Sequence, residues 1–269
     1  KDFLYQFTSI CKAFLPIFKD EHHFWKSHNI FPPYISLLIS IIIVLILGFR
    51  FINKPKLLAF LLVSYFGILL FYYLRIPGQL RHHGHFYLIF IFTLWLDKLI
   101  AHEIPVWEKL EPIHFWVKKN FKHFLFIIFL THIVSGITAL KRDWKFPFSE
   151  SKAASDFIKK TQLDTLMIVG DRDYALSNIS TYLNKKVYYS CRQDWGTYVK
   201  WDNKRNQFLS DSIIITDCQS LVNKENKLML LILNRETNYN QSSLIPVRAF
   251  TNSIVADENY YLYLMTPRR

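Results

Sequence analysis

Two apolar runs, Tyr34 to Ile52 and Leu57 to Leu74, follow one another with only Asn53-Lys54-Pro55-Lys56 between them. Each approaches the roughly 20 helical residues that cross a 30 Å hydrocarbon layer. In hydrocarbon a backbone must satisfy its own polar groups, so a run of this kind is a helix. The pair therefore reads as a helical hairpin crossing a membrane twice. Residues 121–140 form another such run, interrupted only by Thr131, His132, Ser135, Gly136 and Thr138. Residues 82–101 give a further one whose clean part, Phe86 to Leu96, is too short alone. The expectation is a membrane α-helical bundle of about four transmembrane helices, at 34–52, 57–74, 82–101 and 121–140.

The flanks follow from the same reasoning. Residues 1–33 mix aromatic and charged side chains and are broken by Pro16, Pro32 and Pro33, which reads as an interfacial segment. Residues 102–122, with Pro105, Trp107, Pro112 and Trp116, read as an interfacial connection. Arg50 sits near the end of the first span, where its head can snorkel. His132 lies in mid-span, and the favoured reading is a neutral imidazole hydrogen-bonded to a neighbouring helix.

Long apolar runs stop near residue 140, and 141–269 has the pattern of a small α/β domain. A helix capped by Ser149 or Ser151 runs through Ala153 and Ile158. Thr165 to Val169 and Leu228 to Leu233 read as buried strands. Tyr174 to Leu183 has helical spacing, Lys186 to Ser190 is β-rich, and Tyr198 to Trp201 alternates as a half-buried strand does. Ser212 to Thr216 fits a strand or a short helix, and Ser253 to Leu264 closes the domain. The alternation is Rossmann-like. Neither GxGxxG nor GxxxxGK[ST] is present, so the sequence offers no loop to cradle a dinucleotide phosphate.

The net charge of +12 is spread over loops rather than gathered in an aromatic-studded basic stripe. That speaks against nucleic acid and for membrane lipids as partners. Cys11, Cys191 and Cys218 show no metal-ligand spacing. Lysine and arginine gather in two loops, at Arg50, Lys54 and Lys56 and at Lys109, Lys118, Lys119 and Lys122. The positive-inside rule puts those loops in the cytoplasm. Residues 1–33, the Arg81 to His85 cluster and residues 141–269 then lie together outside it, giving a multi-pass cell-membrane protein with an extracytoplasmic C-terminal domain.

Chemistry concentrates in Arg81-His82-His83-Gly84-His85, at the head of the third span. A guanidinium binds phosphate through two parallel hydrogen bonds, and imidazole moves protons near neutral pH. Arg81 and His82 are the candidate lipid-phosphate ligands, and His83 and His85 the candidate catalytic bases. Asp171 and Asp173 stand in DxD spacing after an apolar strand, a second and weaker site able to take a divalent metal ion.

The run Ile76 to His85 with Phe86 to Leu96 resembles the late transmembrane region of bacterial multi-pass proteins that look like GT-C glycosyltransferases of the protein-mannosyltransferase type. Asp143-Trp144-Lys145-Phe146-Pro147-Phe148-Ser149 and Ile254 to Tyr263 also have counterparts there. The resemblance implies an extracytoplasmic C-terminal domain. It also implies a hexosyltransferase using a polyprenyl-phosphate-linked sugar donor, whose catalytic carboxylate lies in an earlier outer loop. The chain opens on Lys1 and reads as the C-terminal portion of such a protein. The alternative is a non-catalytic membrane lipid-binding, transport or assembly protein with a partner-binding α/β domain.

Overall fold

The computed structural model describes residues 3–17, 29–75, 78, 80–100, 103–206, 209–238 and 243–267, without the side chains of Leu80 and Arg81. The chain divides into a helical unit, residues 1–141, and an α/β unit, residues 142–269.

The helical unit holds α1 (Phe3–Phe14), α2 (Pro33–Phe51), α3 (Pro55–Leu74), α4 (Leu80–Leu99) and α5 (Glu111–Lys145). Among the described residues, α2, α3 and α5 are long and apolar enough to cross a membrane. The third expected span, 82–101, is a 20-residue helix, but the polar residues at both its ends keep it below that hydropathy. Each helix buries a narrow stripe. In α2 it is Ser36, Ser40, Ile43, Leu47 and Phe51, and in α3 Leu57, Leu61, Tyr65, Leu69 and Tyr72, the spacing of one helical face. The remaining surface is apolar and open: only 11% of the apolar window of α5 is buried. Val63, Phe126, Ile137 and Leu140 all face outward, which is compatible with a membrane around these helices.

Two boundaries differ from the sequence reading. Helix α5 begins at Glu111, inside the stretch expected to be a connection. Pro112 does not break it, because a first-turn residue needs no N–H partner. Within residues 1–33, read as interfacial, α1 packs into the bundle core: Ile10, Cys11, Ala13 and Phe14 are buried, and the Cys11 N–H donates to Ser40 Oγ at 2.9 Å.

The α/β unit adds α6 (Ser151–Lys160), α7 (Asp173–Leu183) and α8 (Asp211–Glu225) to six strands. These are β1 (Met167–Gly170), β2 (Val187–Tyr189), β3 (Asp194–Gly196), β4 (Met229–Leu233), β5 (Leu244–Phe250) and β6 (Tyr260–Met265). They form one sheet in the order β3-β2-β1-β4-β6-β5. Strands β2, β1 and β4 are parallel, and the other pairings are antiparallel. All five β4 residues are buried, as expected of a strand covered on both faces. Leu230 and Ile232 pack with α6 and α7, while Met229, Leu231 and Leu233 pack with α8. Gly170 is required where α7 leaves β1, since a Cβ there would lie 2.6 Å from Leu176 and 2.7 Å from the Ile232 carbonyl.

Here too the sequence reading needs correction. Tyr198 to Trp201, expected as a strand, is an exposed loop, and β3 lies earlier. The Ser212 to Thr216 run belongs to the longer helix α8.

Candidate functional site

In the helical unit the first turns of α4 meet the end of α3. Two tyrosines on the buried stripe of α3 fasten the joint: Tyr65 Oη donates to the Phe86 carbonyl at 2.9 Å and Tyr72 Oη to the His82 carbonyl at 2.6 Å. Beside this joint runs a groove lined by Gly67, Ile68, Phe71, Tyr72, His82 and His85, with an empty volume of about 630 Å³. Its walls are apolar, and both of its histidines come from one end. Gly67 leaves space there, since a Cβ on it would meet nothing within 4 Å.

His82 and His85 stand three residues apart, so they share a helix face. His85 Nδ1 lies 2.6 Å from the His82 carbonyl. A carbonyl only accepts, so Nδ1 carries the proton and Nε2 is left as the basic nitrogen of the neutral ring. His83, the other candidate base, is not among the groove's lining residues. It is buried, with its ring beside Tyr72 and its Nε2 so close to Gly78 that a side chain at 78 would collide with it. Arg81 lies in the first turn of α4, and its side chain is outside the described residues. The catalytic pair read from sequence therefore separates: the groove takes His85 together with His82, and His83 belongs to the packing.

The opposite end of α4 is fixed by charge. Asp97 receives Arg50 at 2.6 Å and Lys54 at 2.8 Å. Lys54 Nζ also donates to the Asp97 and Ile100 carbonyls, capping the helix end. Arg50, expected to snorkel, is thus engaged in an ion pair. On α5, His132 Nε2 meets the Ala13 carbonyl at 3.1 Å and its ring stacks on Tyr87 at 4.1 Å, which agrees with the hydrogen-bonded reading of that residue. Thr131 and Ser135 donate to the carbonyls of Phe14 and Pro16. Three of the polar interruptions of this helix, Thr131, His132 and Ser135, are thus caps for the end of α1, while Thr138 bonds to Val134 in its own helix.

In the α/β unit Asp171 and Asp173 do stand at the carboxyl ends of the parallel strands. They do not face one another as a metal pair. Asp173 Oδ1 and Oδ2 are both taken by Arg205, at 2.6 and 2.7 Å. Asp171 Oδ2 receives Arg235 at 2.8 Å and Arg172 at 3.1 Å. Arginines occupy the positions a cation would need, and among the described residues no cluster of three His, Cys, Asp or Glu could hold a metal ion. Burial pushes the Asp171 carboxyl up from its ordinary range, against the pull of Arg235 and Arg172. Cys191, nearby, is buried and its thiol is pushed up to about 11, which leaves it unreactive near neutral pH.

The two runs singled out near residues 143–149 and 254–263 come together as a structural joint. The Ile254 N–H donates to the Pro147 carbonyl at 2.9 Å, and Glu150 N–H to the Glu258 carbonyl at 3.1 Å. Glu258 Oε2 gathers the Ser149 hydroxyl, the Asn178 amide and the Tyr260 hydroxyl within 3.0 Å. The sequence reading missed this joint, although Ser149 and Glu258 were both within the quoted runs. Comparison with family models, with characterised proteins and with solved structures gives no match for this chain.

Proposed function

We propose that this chain is part of a multi-pass membrane protein that holds a phosphorylated isoprenoid lipid in the α3–α4 groove, serving as the donor site of a GT-C-type sugar transferase. The observation that carries the reading is the groove itself: apolar walls for a hydrocarbon tail, with His82 and His85 in its lining. Arg81 precedes them in the same helical turn, and in this reading its guanidinium is the phosphate ligand. His85 Nε2 is then the nitrogen able to take the proton of an attacking hydroxyl. The described lining residues include no carboxylate, and in this reading the catalytic carboxylate is supplied from outside the groove. The outward apolar surfaces of α2, α3 and α5 support the membrane placement, and the Lys and Arg distribution supports an extracytoplasmic α/β unit.

Binding of a polyprenyl phosphate to the purified chain in detergent tests the reading. Gly67→Phe fills the groove from an open position and is expected to abolish binding. Arg81→Ala is expected to lose about 1.5–3 kcal/mol, one to two decades of affinity, with Arg81→Lys in between. His85→Ala is expected to leave affinity nearly intact and to slow any transfer reaction. Equal affinity of the parent, Gly67→Phe and Arg81→Ala chains would sink the site. An unphosphorylated polyprenol that binds as well as the phosphate would point to the non-catalytic lipid-binding alternative.

A further inference from the structure

The α/β unit gathers exposed aromatic side chains in the loop that follows β3, which returns at Arg205 and Asn206 to the carboxyl ends of the parallel strands. Trp201 is 77% exposed and Tyr198 62%. Neither ring hangs loose. The Arg205 guanidinium, itself buried and bound to Asp173, lies 4.4 Å from the Trp201 ring centre. Lys200 lies 5.7 Å from that of Tyr198. Arg205 also touches Tyr174, whose hydroxyl reaches Asp257 at 3.2 Å. Asp257 adjoins the joint where Val255 and Ile254 bond to Phe148 and Pro147. The loop is therefore connected, contact by contact, to the point where the chain arrives from α5.

That arrival point repeats the composition. Trp144 is 94% exposed, Lys145 is exposed and Phe148 is 56% exposed. Lys200 and Lys204 add exposed positive charge, while the carboxylate of Asp202 is matched by Arg192 at 2.6 Å. Tryptophan and tyrosine tips with lysine between them are what sits at headgroup depth on a bilayer. The opposite edge, where α6 ends at Lys160 and α7 at Leu183, exposes Tyr182 at 46%, less than either ring of that loop. A unit tethered by a helix that enters the bilayer meets that surface at high effective concentration, so weak contacts suffice.

We infer that this edge docks on the lipid surface into which α5 inserts, with Trp201 and Tyr198 at headgroup depth and Lys200 and Lys204 against anionic lipid. The inference rests on the reading of α5 as a membrane span. It makes the α/β unit a lipid-contacting module, its strand ends turned to the membrane.

Spin labels on the full chain in phosphatidylcholine–phosphatidylglycerol nanodiscs test both levels. The three native cysteines are buried, and the unsubstituted chain gives the labelling background. Labels go on Asn203→Cys in the loop, Lys160→Cys at the opposite edge, and Leu130→Cys on the open face of α5. Collision with oxygen and with a water-soluble nickel complex is then read by power saturation. Asn203 is expected to lose nickel access relative to Lys160, and Trp201→Ala with Tyr198→Ala is expected to restore it. Equal nickel access at Asn203 and Lys160, with Leu130 reporting lipid, would overturn the docking and leave the membrane reading standing. An aqueous Leu130 would overturn both. Protection at Asn203 that survives loss of the two rings would overturn the docking in favour of cover by protein. So would an aqueous Asn203 label that a soluble oligosaccharide immobilises, in favour of a carbohydrate platform.

Discussion

Asp217, on α8, carries a pH dependence whose sign follows from its surroundings. Burial pushes its carboxyl up, and the Ser190 hydroxyl offsets part of that. The unfolded chain releases this proton near the ordinary aspartate value of about 3.9, the folded unit only at higher pH. Between the two values the folded state holds the extra proton, so this residue's stabilising contribution is lost as pH rises through the folded value. Asp217→Asn removes the ionisation and keeps a hydrogen-bonding group. Its melting temperature is expected to exceed the parent's at pH 7, with the gain fading towards about pH 4. Melting curves by near-ultraviolet circular dichroism decide it, and a gain independent of pH would contradict the assignment. The histidines offer a second lesson at this scale. Successive helical residues turn by about 100°, so His82 and His85 share a face and His83 does not. That separation was already written in the spacing, but a cluster read as a block conceals it.

Among the elements, α4 depends on what is tied to its ends. It exposes less apolar length than its neighbours, and its register is set by the two tyrosine bonds at one end and Asp97 at the other. Removing one member of a buried ionic cluster strands the others, at a cost of about 3–5 kcal/mol. Asp97→Ala is therefore expected to lower thermal stability in detergent strongly, and Arg50→Ala made in addition to restore part of it. Near-additive losses in the double variant would show that the charges do not act together. Elements whose composition leaves no choice were legible in sequence: 34–52 was expected and Pro33–Phe51 is observed. Those decided by context were not. Pro112 looks like a breaker until its place in a first turn is known. Tyr198 to Trp201 alternates like a strand, yet its large rings are held outward by cations. Strand β5 carries Pro246 and Arg248 around an irregular register, which masks it as a strand.

At the scale of the whole molecule, the change in composition near residue 140 marked the division into two units. The groove was less visible, because Gly67, Phe71 and His85 become neighbours only when α3 and α4 pair. The caps on α1 bear on how such a chain is made. The carbonyls of Ala13, Phe14 and Pro16 find their donors on His132, Thr131 and Ser135, 117 to 119 positions further along. During synthesis those carbonyls wait, unmatched, until α5 has emerged from the ribosome. Contacts of such sequence separation form late, so the end of α1 is capped last, although its body packs on the earlier helices α2 and α4. For these caps the order of translation and the order of assembly run in opposite directions, and the end of α1 needs a sheltered place until α5 arrives.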